Sequence, residues 1–285
     1  MKSRYERTKT LTNKQFKRVI GVKRATFEEM KGILEIAYAE KHKRRGRHAK
    51  LSVAEMLLLA LEYWRQYITF AELAVHYGVA ESTAHDITVW VENVLIKSGQ
   101  FSLPGKKVLL EENELEIVLV DVMESPIERP KKQRGYYSGK KKRHTIKTQL
   151  IINAKTGKII CTAHAEGSCH DFKLYENSIG STVSGDIKVR GDSGYQGILR
   201  LHKNSETPKK KPKGGELTAE EKAENRRISR ERILIENINA KVKVFKVTAN
   251  KYRNRRKTLW PAYVAHLRYL GIHLTPPEIF AILGA

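Results

Sequence analysis

The chain has 285 residues, and its 54 Lys and Arg outnumber 31 Asp and Glu to give a formal net charge of +23. With 40% hydrophobic residues it can bury a core, which excludes a disordered polymer. The excess of positive charge indicates a polyanionic partner, with nucleic acid ahead of an anionic membrane surface.

Membrane and secreted classes of protein are not expected. No apolar run approaches the roughly 20 residues that span a bilayer, and the N-terminus lacks the apolar segment of a secretory signal. Two cysteines, Cys161 and Cys169, are too few for a disulfide framework. We therefore expect a soluble cytoplasmic protein with no membrane partner.

Residues 12–95 are predicted to form helices separated by short breaks. Residues 27–40 carry apolar side chains at three- and four-residue steps, and residues 52–66 form a strong helix with Ser52 as its N-cap. The basic connector 41–50 between them is either a solvated loop or an arm that contacts phosphate. This region predicts an all-α DNA-binding domain over residues 1–100.

Residues 69–95 have the spacing of a helix-turn-helix. Ala74 is small where two helices would cross, Gly78 suits the turn, and the inward face of the second helix is apolar. The start of that helix would contact the edges of the bases. We therefore predict that Ser82, Thr83 and His85 bind DNA. The alternative is an ordinary helical hairpin, and the net positive charge favours the DNA reader.

Beyond Pro104 the pattern changes to short β-branched runs. Predicted strands cover residues 115–121, 187–192 and the two arms of 145–165, which flank a turn at Asn153–Gly157. Residues 170–180 are predicted to be helical, with Ser168 or Asp171 as the N-cap, and residues 229–245 form a second strong helix. Residues 204–228 indicate an exposed basic insertion. These elements predict an α/β domain over residues 105–250, and the boundary between it and the helical domain is expected near residues 98–106.

Three carboxylates in this domain are candidates for one metal site. Asp121 and Asp192 each end a predicted strand, and active sites of open sheets lie beyond the carboxyl ends of strands. Glu236 shares a helix stripe with Arg232 and Lys243, which would hold phosphates. Converging carboxylates repel unless a divalent cation lies between them, and hard oxygen ligands suit Mg²⁺ or Mn²⁺. The ordinary alternatives are a turn aspartate at Asp192 and a solvated Glu236 paired with Arg232.

A basic and aromatic cluster precedes the strand that starts near Thr145. It could clamp the DNA backbone, or it could be a solvated hairpin edge. Its location close in sequence to Asp121 favours DNA contact, through Lys140, Lys141, Lys142 and Arg143. Two Cys and two His in 161–170 suggest zinc, but Cys161 and His164 would point to opposite faces of a strand, so zinc is not expected.

Five motifs together resemble a known family: "LVDVMESPIERP", "YYSGKKKRHTIKTQLIIN", "GSCHDFKLYENS", "GDSGYQG" and "ISRERILIENINAKVKVFKV…KYRNRR". They are similar to bacterial insertion-sequence transposases of the IS-five type, which belong to the DDE class. The resemblance runs from about residue 16 to 257. It implies a ribonuclease-H-like mixed sheet flanked by helices, and a catalytic, metal-binding triad of Asp121, Asp192 and Glu236 with two Mg²⁺ or Mn²⁺ ions. His170 and Asp171 match an "HD" pattern expected near the active site.

The resemblance also implies a function. The protein would bind terminal inverted repeats, cleave the element ends and join the 3′-hydroxyls to target DNA by metal-dependent phosphoryl transfer. A homodimer would pair two ends on double-stranded DNA, in association with the bacterial nucleoid. The alternatives are a non-catalytic helix-turn-helix regulator and a ribonuclease-H-like nuclease without strand transfer.

Two departures from the family pattern stand out. Ser229 occupies the position where related helices commonly carry Tyr, so a tyrosine contact to DNA is not expected. The C-terminal tail, residues 251–285, differs from the expected ending and is assigned no function.

Overall fold

A computed structural model describes residues 3–43, 48–101, 103–110 and 115–253. These residues form two compact units, one of residues 3–101 and 242–250 and the other of residues 103–241 and 251–253. The division falls between residues 102 and 103, while residues 242–250, which the sequence assigns to the second domain, belong to the first unit. Most of the predicted tail, 254–285, and residues 44–47 of the basic connector lie outside the described residues.

The first unit is helical. Its N-terminal helices are α1 (Arg4–Lys9), α2 (Asn13–Ile20), α3 (Arg24–Lys41), α4 (Val53–Gln66), α5 (Phe70–Tyr77) and α6 (Glu81–Lys97). Helix α4 begins at a capping box, in which Ser52 and Glu55 satisfy each other's free backbone N–H groups, so the predicted N-cap is confirmed. Because α4 is apolar on nearly all sides, it is buried on nearly all sides and forms the centre of this unit.

Helices α5 and α6 form the predicted helix-turn-helix. Gly78 ends α5 in the left-handed conformation, with φ of +62°, and its N–H donates to the Ala74 carbonyl. The inward face of α6 is buried as predicted, through Ala84, Ile87 and Val91. The turn therefore fixes the direction in which α6 begins relative to α5, and the first residues of α6 lie at the surface.

The second unit is a mixed sheet with helices. Its elements are β1 (Ile117–Pro126), α7 (Gln133–Tyr136), β2 (Tyr137–Ser138), β3 (Arg143–Asn153), β4 (Ile159–Glu166), α8 (Asp171–Ser178), β5 (Lys188–Arg190), β6 (Ser205–Glu206) and α9 (Ala219–Lys243). The last two residues of α9 belong to the first unit. The short α10 (Lys246–Ala249) belongs to the first unit. The predicted hairpin 145–165 is confirmed as β3 and β4.

Strand β1 lies between β3 and β5 in the sheet. The order is β2-β3-β1-β5-β6, and β4 pairs with residues 146–152 of β3. The β1–β3 and β3–β4 pairs are antiparallel, whereas β1–β5 and β5–β6 are parallel. A mixed sheet of this arrangement, flanked by helices and preceded by the helix-turn-helix, is the ribonuclease-H-like fold that the sequence predicts.

Three local predictions are wrong. Asp121 does not end its strand, because β1 continues to Pro126 through antiparallel pairing with β3. The N-cap of α8 is His170, which makes no side-chain capping bond, and Asp171 is the first helical residue. Helix α9 begins at Ala219 within the predicted insertion, since Thr218 and Glu221 exchange the two hydrogen bonds of a capping box.

Among the described residues, no helix is both long and apolar enough to cross a bilayer.

Candidate active site

The register of β1 with β5 brings two of the predicted acids to the same level. Leu119 lies opposite Arg190 in this parallel pair. Asp121 is two residues beyond Leu119, and Asp192 is two residues beyond Arg190. Because the side-chain period of a strand is two, both carboxylates emerge on one face at neighbouring strands. Burial raises the pKa of Asp121, and the nearby Asp192 carboxylate adds to that rise.

The loop after β5 is built to hold Asp192. The Asp192 carboxylate accepts a hydrogen bond of 2.8 Å from the Gly194 N–H and caps a short 3₁₀ turn over Ser193–Tyr195. A Cβ on Gly191 would lie 2.8 Å from the fully buried ring of Tyr195. Glycine is therefore required at 191 for the loop to close on Tyr195, and the closed loop orients Asp192.

A third aspartate, Asp171, joins the two. A Cβ on Gly194 would lie 2.9 Å from a carboxylate oxygen of Asp192 and 3.0 Å from one of Asp171, so this glycine separates the two carboxylates. Asp171 pairs with Lys147 of β3, whose Nζ is 2.8 Å from Asp171 Oδ1 and donates to the Cys169 carbonyl at 2.6 Å. His170 is exposed. Of the "HD" pair, the structure brings Asp171 into the cluster.

Helix α9 contacts Asp121 from the same side of the sheet. Asn239 Nδ2 donates to Asp121 Oδ2 at 2.7 Å, and Arg232 Nη2 lies 3.6 Å from Asp121 Oδ1. Glu236 is four residues after Arg232 and three before Asn239, so it lies on the face of α9 that these two contacts turn toward Asp121. Its side chain is exposed and makes no contact with either acid among the described residues.

The electrostatics of this cluster differ from those of surface acids. Burial raises the pKa of Asp121 to about 6, the Arg232 guanidinium opposes that rise, and the neighbouring Asp192 and Asp171 carboxylates add to it. Burial also raises the pKa of Tyr195 well above its usual value, with the same three aspartates contributing. One guanidinium and one ammonium therefore face three carboxylates, and the site has a surplus of negative charge.

These residues fit a divalent cation. Asn239 is 8% exposed, and within the described part of the chain its buried Oδ1 has no hydrogen-bond partner although the amide lies against Asp121. Carboxylate and amide oxygens are the hard ligands that Mg²⁺ and Mn²⁺ prefer. No three His, Cys, Asp or Glu side chains of the described residues converge closely enough to form a complete ligand set by themselves.

The predicted basic cluster lies on the turn between β2 and β3, where its four cationic residues are exposed. Asp121 pairs with Leu150 on β3, seven residues from Arg143. At about 3.4 Å per residue the turn lies roughly 24 Å from Asp121 along the strand. The cluster is close to Asp121 in sequence but far from it along the sheet, and its contact with DNA stays a prediction. Lys243 is exposed, whereas the Arg232 guanidinium forms an ion pair with Asp121.

The DNA-reading candidates of the first unit remain at the surface. Ser82, Thr83 and His85 are exposed in the first turns of α6. His85 Nδ1 lies 3.1 Å from Asp86 Oδ1, and its ring packs edge-on against Phe70. This pairing gives His85 a defined position at the front of the helix.

Sequence reasoning missed Lys147, which lies in a predicted strand and shows no signal of its partners. Asn239 was visible only as a neighbour of the helix stripe that carries Glu236. Both act through pairings across more than 20 residues, 147 with 171 and 239 with 121, which local patterns do not report.

Comparison with known proteins identifies both units. Residues 120–270 match the family described as DDE superfamily endonuclease, and residues 49–101 match the helix-turn-helix of DDE superfamily endonuclease. A protein of Microchaete diplosiphon named "Probable transposase for insertion sequence element IS702" is 46% identical over 254 residues, which are 88% of this chain and 91% of that protein. A protein of Streptomyces albus G named "Putative transposase for insertion sequence element IS112" is 23% identical over 206 residues, 72% of this chain and 74% of its own.

Proposed function

The chain belongs to the DDE superfamily endonucleases and is a DNA transposase, and we propose that it cleaves the ends of an insertion sequence and joins their 3′-hydroxyls to target DNA. The observation that carries this proposal is the position of Asp121 and Asp192, each two residues beyond one member of the strand pair Leu119–Arg190. Asp121 also lies against the stripe of α9 that carries Glu236. We propose these three acids as the catalytic, metal-binding triad.

The residues present would hold two Mg²⁺ or Mn²⁺ ions. Asp121 and Asp192 would bind from the sheet, and Glu236 from α9, with Asp171 and Asn239 beside them. Such ions, when bound, offset the negative charge that develops on a phosphodiester during in-line displacement. The exposed position of Glu236 leaves it accessible to both the ions and DNA.

The chain's own residues fix the geometry in which that chemistry occurs. Asn239 and Arg232 orient the Asp121 carboxylate, the Gly194 N–H orients that of Asp192, and Lys147 orients that of Asp171. In cleavage, a water oxygen forms a bond to phosphorus as the bond to the 3′-oxygen breaks. In joining, the freed 3′-hydroxyl attacks a target phosphorus by the same displacement. The bond from that phosphorus to the target strand's own 3′-oxygen breaks, and the proton of the attacking hydroxyl is released as the leaving oxygen gains one. Orientation of the carboxylates before DNA arrives lowers the cost of both steps.

The first unit supplies recognition. The exposed start of α6 would read the inverted repeats through Ser82, Thr83 and His85, in the manner of a recognition helix. Lys140, Lys141, Lys142, Arg143, Arg232 and Lys243 remain proposed contacts to the DNA backbone. Two protomers would pair the two element ends, and their work on chromosomal DNA would associate them with the nucleoid.

The test is a joining assay with labelled element-end DNA and a target plasmid, in Mg²⁺ or in EDTA. Joined product that needs the metal and disappears in Asp192→Asn supports the proposal. Cleavage without joining would indicate a nuclease of the same fold. Binding without chemistry, unchanged by Asp192→Asn, would indicate a regulator.

Recognition has a separate test. His85→Ala should weaken binding to element ends by about 1–3 kcal/mol while it leaves binding to unrelated DNA nearly unchanged. The measurement is the ratio of the two dissociation constants at one salt concentration. An equal loss on both DNAs would contradict base recognition by His85.

A further inference from the structure

The second unit contains a basic pocket away from the three aspartates. Its volume is about 920 Å³, and it lies between the start of β1, the β3–β4 turn, the end of β5 and the first half of α9. Five cationic side chains and two carboxylates line it, over a floor that includes Ile117 and Leu234. The five are Lys155, Arg190, Arg226, Arg227 and Arg230. We call this the basic pocket.

Two of the five cations are held by acids. Arg190 Nε is 2.7 Å from Glu206 Oε2, and Arg190 also pairs with Glu231. Arg227 lies 3.0 Å from Glu206, 2.6 Å from Glu224 and 3.2 Å from Glu231. Arg190 and Arg227 therefore form the rigid wall of the basic pocket, and little of their charge is left for a ligand.

The other three cations have no such partner. Lys155, Arg226 and Arg230 are exposed, and none has a carboxylate partner among the described residues. Arg226 and Arg230 are four residues apart on α9, a like-charged spacing that disfavours the helix in isolation. Three unpaired cations around one pocket, two of them repelling each other, point to an anionic ligand.

The location of the basic pocket indicates which anion. Ile117 and Asp121 have the same parity on β1, so the pocket and the acids lie on one face of the sheet, beneath the same helix. They are about 13 Å apart along the strand. One strand of DNA carries a phosphate about every 3.4 Å of helix axis, so DNA whose axis runs parallel to β1 would place about four phosphates between the reacting bond and the pocket.

We propose that the basic pocket binds the phosphodiester backbone of the DNA that the active site processes, about four nucleotides from the reacting phosphate, through Lys155, Arg226 and Arg230. The proposal rests on the proposed function as a transposase. The pocket holds the strand by charge alone, without reading its sequence, and so positions the reacting phosphate over Asp121 and Asp192.

The first test is the salt dependence of DNA binding by the full-length protein. Each lost phosphate contact should reduce the slope of log K against log salt by about one. Arg226→Gln/Arg230→Gln should therefore reduce the slope by about two, and Arg226→Lys/Arg230→Lys should restore it. The matched control is Arg200→Gln/Lys203→Gln, which removes the same charge from two exposed residues outside the pocket.

The second test places the contact on the DNA. Neutral methylphosphonates are introduced one at a time at positions two to eight from the cleavage point, in element-end DNA and in target DNA. A methylphosphonate near position four should lower the affinity of the wild type. The same methylphosphonate should not lower the affinity of Arg226→Gln/Arg230→Gln any further, because this variant has already lost the contact to that phosphate. The DNA that shows this pattern is the strand the pocket holds.

The outcomes separate this proposal from the proposed function. A wild type that cleaves element ends, together with a pocket variant whose salt slope equals that of the control variant, would overturn the basic pocket alone. Additive losses from the methylphosphonates and the two substitutions would overturn it as well. Absence of any metal-dependent cleavage by the wild type would instead overturn the proposed function.

Discussion

Two carboxylates of the second unit, Asp121 and Glu206, each lie beside an arginine of α9 but have opposite electrostatics. Glu206 accepts from Lys188, Arg190 and Arg227 at 2.7–3.0 Å. Burial acts to raise its pKa, but these three cations lower it to about 2. Asp121 has Arg232 at 3.6 Å and two further acids nearby, and burial raises its pKa to about 6.

The difference separates a structural acid from a functional one. Three cations satisfy Glu206, so the charge of this carboxylate is balanced without a ligand. The cluster around Asp121 is short of positive charge, and strongly perturbed acids in such a cluster are typical of active sites. Substitutions should therefore affect stability in one region and activity in the other.

The largest expected effect is on activity. Asp192→Asn keeps the oxygen that accepts from the Gly194 N–H but removes the charge, so cleavage and joining should fall by about a thousand-fold or more. Thermal unfolding should be unchanged or shift upward, because one of three repelling carboxylates becomes neutral. The assay is turnover of labelled element ends in Mg²⁺. Near-normal turnover would place the chemistry elsewhere.

The structural network should show the reverse pattern. Arg190→Met leaves Glu206 and Glu231 without their buried partner, and loss of one member of a buried pair costs about 3 kcal/mol. Thermal denaturation measures the loss, with exposed Arg200→Met as the control, expected within about 0.5 kcal/mol of the wild type. Equal stabilities for the two variants would mean that the network contributes nothing.

Mg²⁺ should stabilise the Asp121 cluster and leave the Glu206 network unaffected. Metal at about 100 times its dissociation constant should stabilise the wild type by about 2.7 kcal/mol. That gain should vanish in Asp121→Asn, which lacks a proposed ligand, and persist in Glu231→Gln. The readout is the unfolding temperature with and without the metal. Stabilisation that persists in Asp121→Asn would point to a different metal site.

The last prediction extends the comparison to a buried acid of the helical unit. Glu92 accepts a hydrogen bond of 2.9 Å from Trp64 Nε1, and burial raises its pKa from 4.5 to about 7 against the opposing effect of that bond. A raised pKa gives a stabilising contribution that is complete below pH 4.5 and is lost as the pH rises through 7. Glu92→Gln should remove this decline, on the order of 3 kcal/mol, in unfolding measured from pH 4 to 8. A decline of the same size in the variant would show that another group causes it.

Local signals predicted the helical unit well. Ser52 and Glu55 predict the start of α4, and Gly78 predicts the turn of the helix-turn-helix. Both signals are visible in the sequence because a cap or a turn depends only on residues a few positions apart. The same kind of signal, Thr218 with Glu221, was available for α9. The surrounding segment is polar and contains Pro and Gly, which favour a loop, so this capping signal is hidden among signals of the opposite kind.

The site was predicted in part. Asp121 and Asp192 stand out by their placement after apolar runs, although the end of β1 was misplaced because its pairing with β3 continues past the acid. Asp171 was expected near the site only through a family pattern. The contacts of Lys147, Asn239 and Arg190 depend on tertiary pairing, and no sequence period reports which distant carboxylate a cation will meet.

The register of Leu119 with Arg190 has a consequence for how this protein can vary. The 70 residues between Asp121 and Asp192 form the end of β1, α7, β2, β3, β4, α8, β5 and the loops that join them. Insertions in those loops leave the register intact. A single-residue deletion within β5 would instead turn its side chains to the opposite face and remove Asp192 from the site. Related chains should therefore differ freely in the length of the loops between the two acids. They should keep the spacing of two residues from the paired strand positions, Leu119 and Arg190, to the acids Asp121 and Asp192.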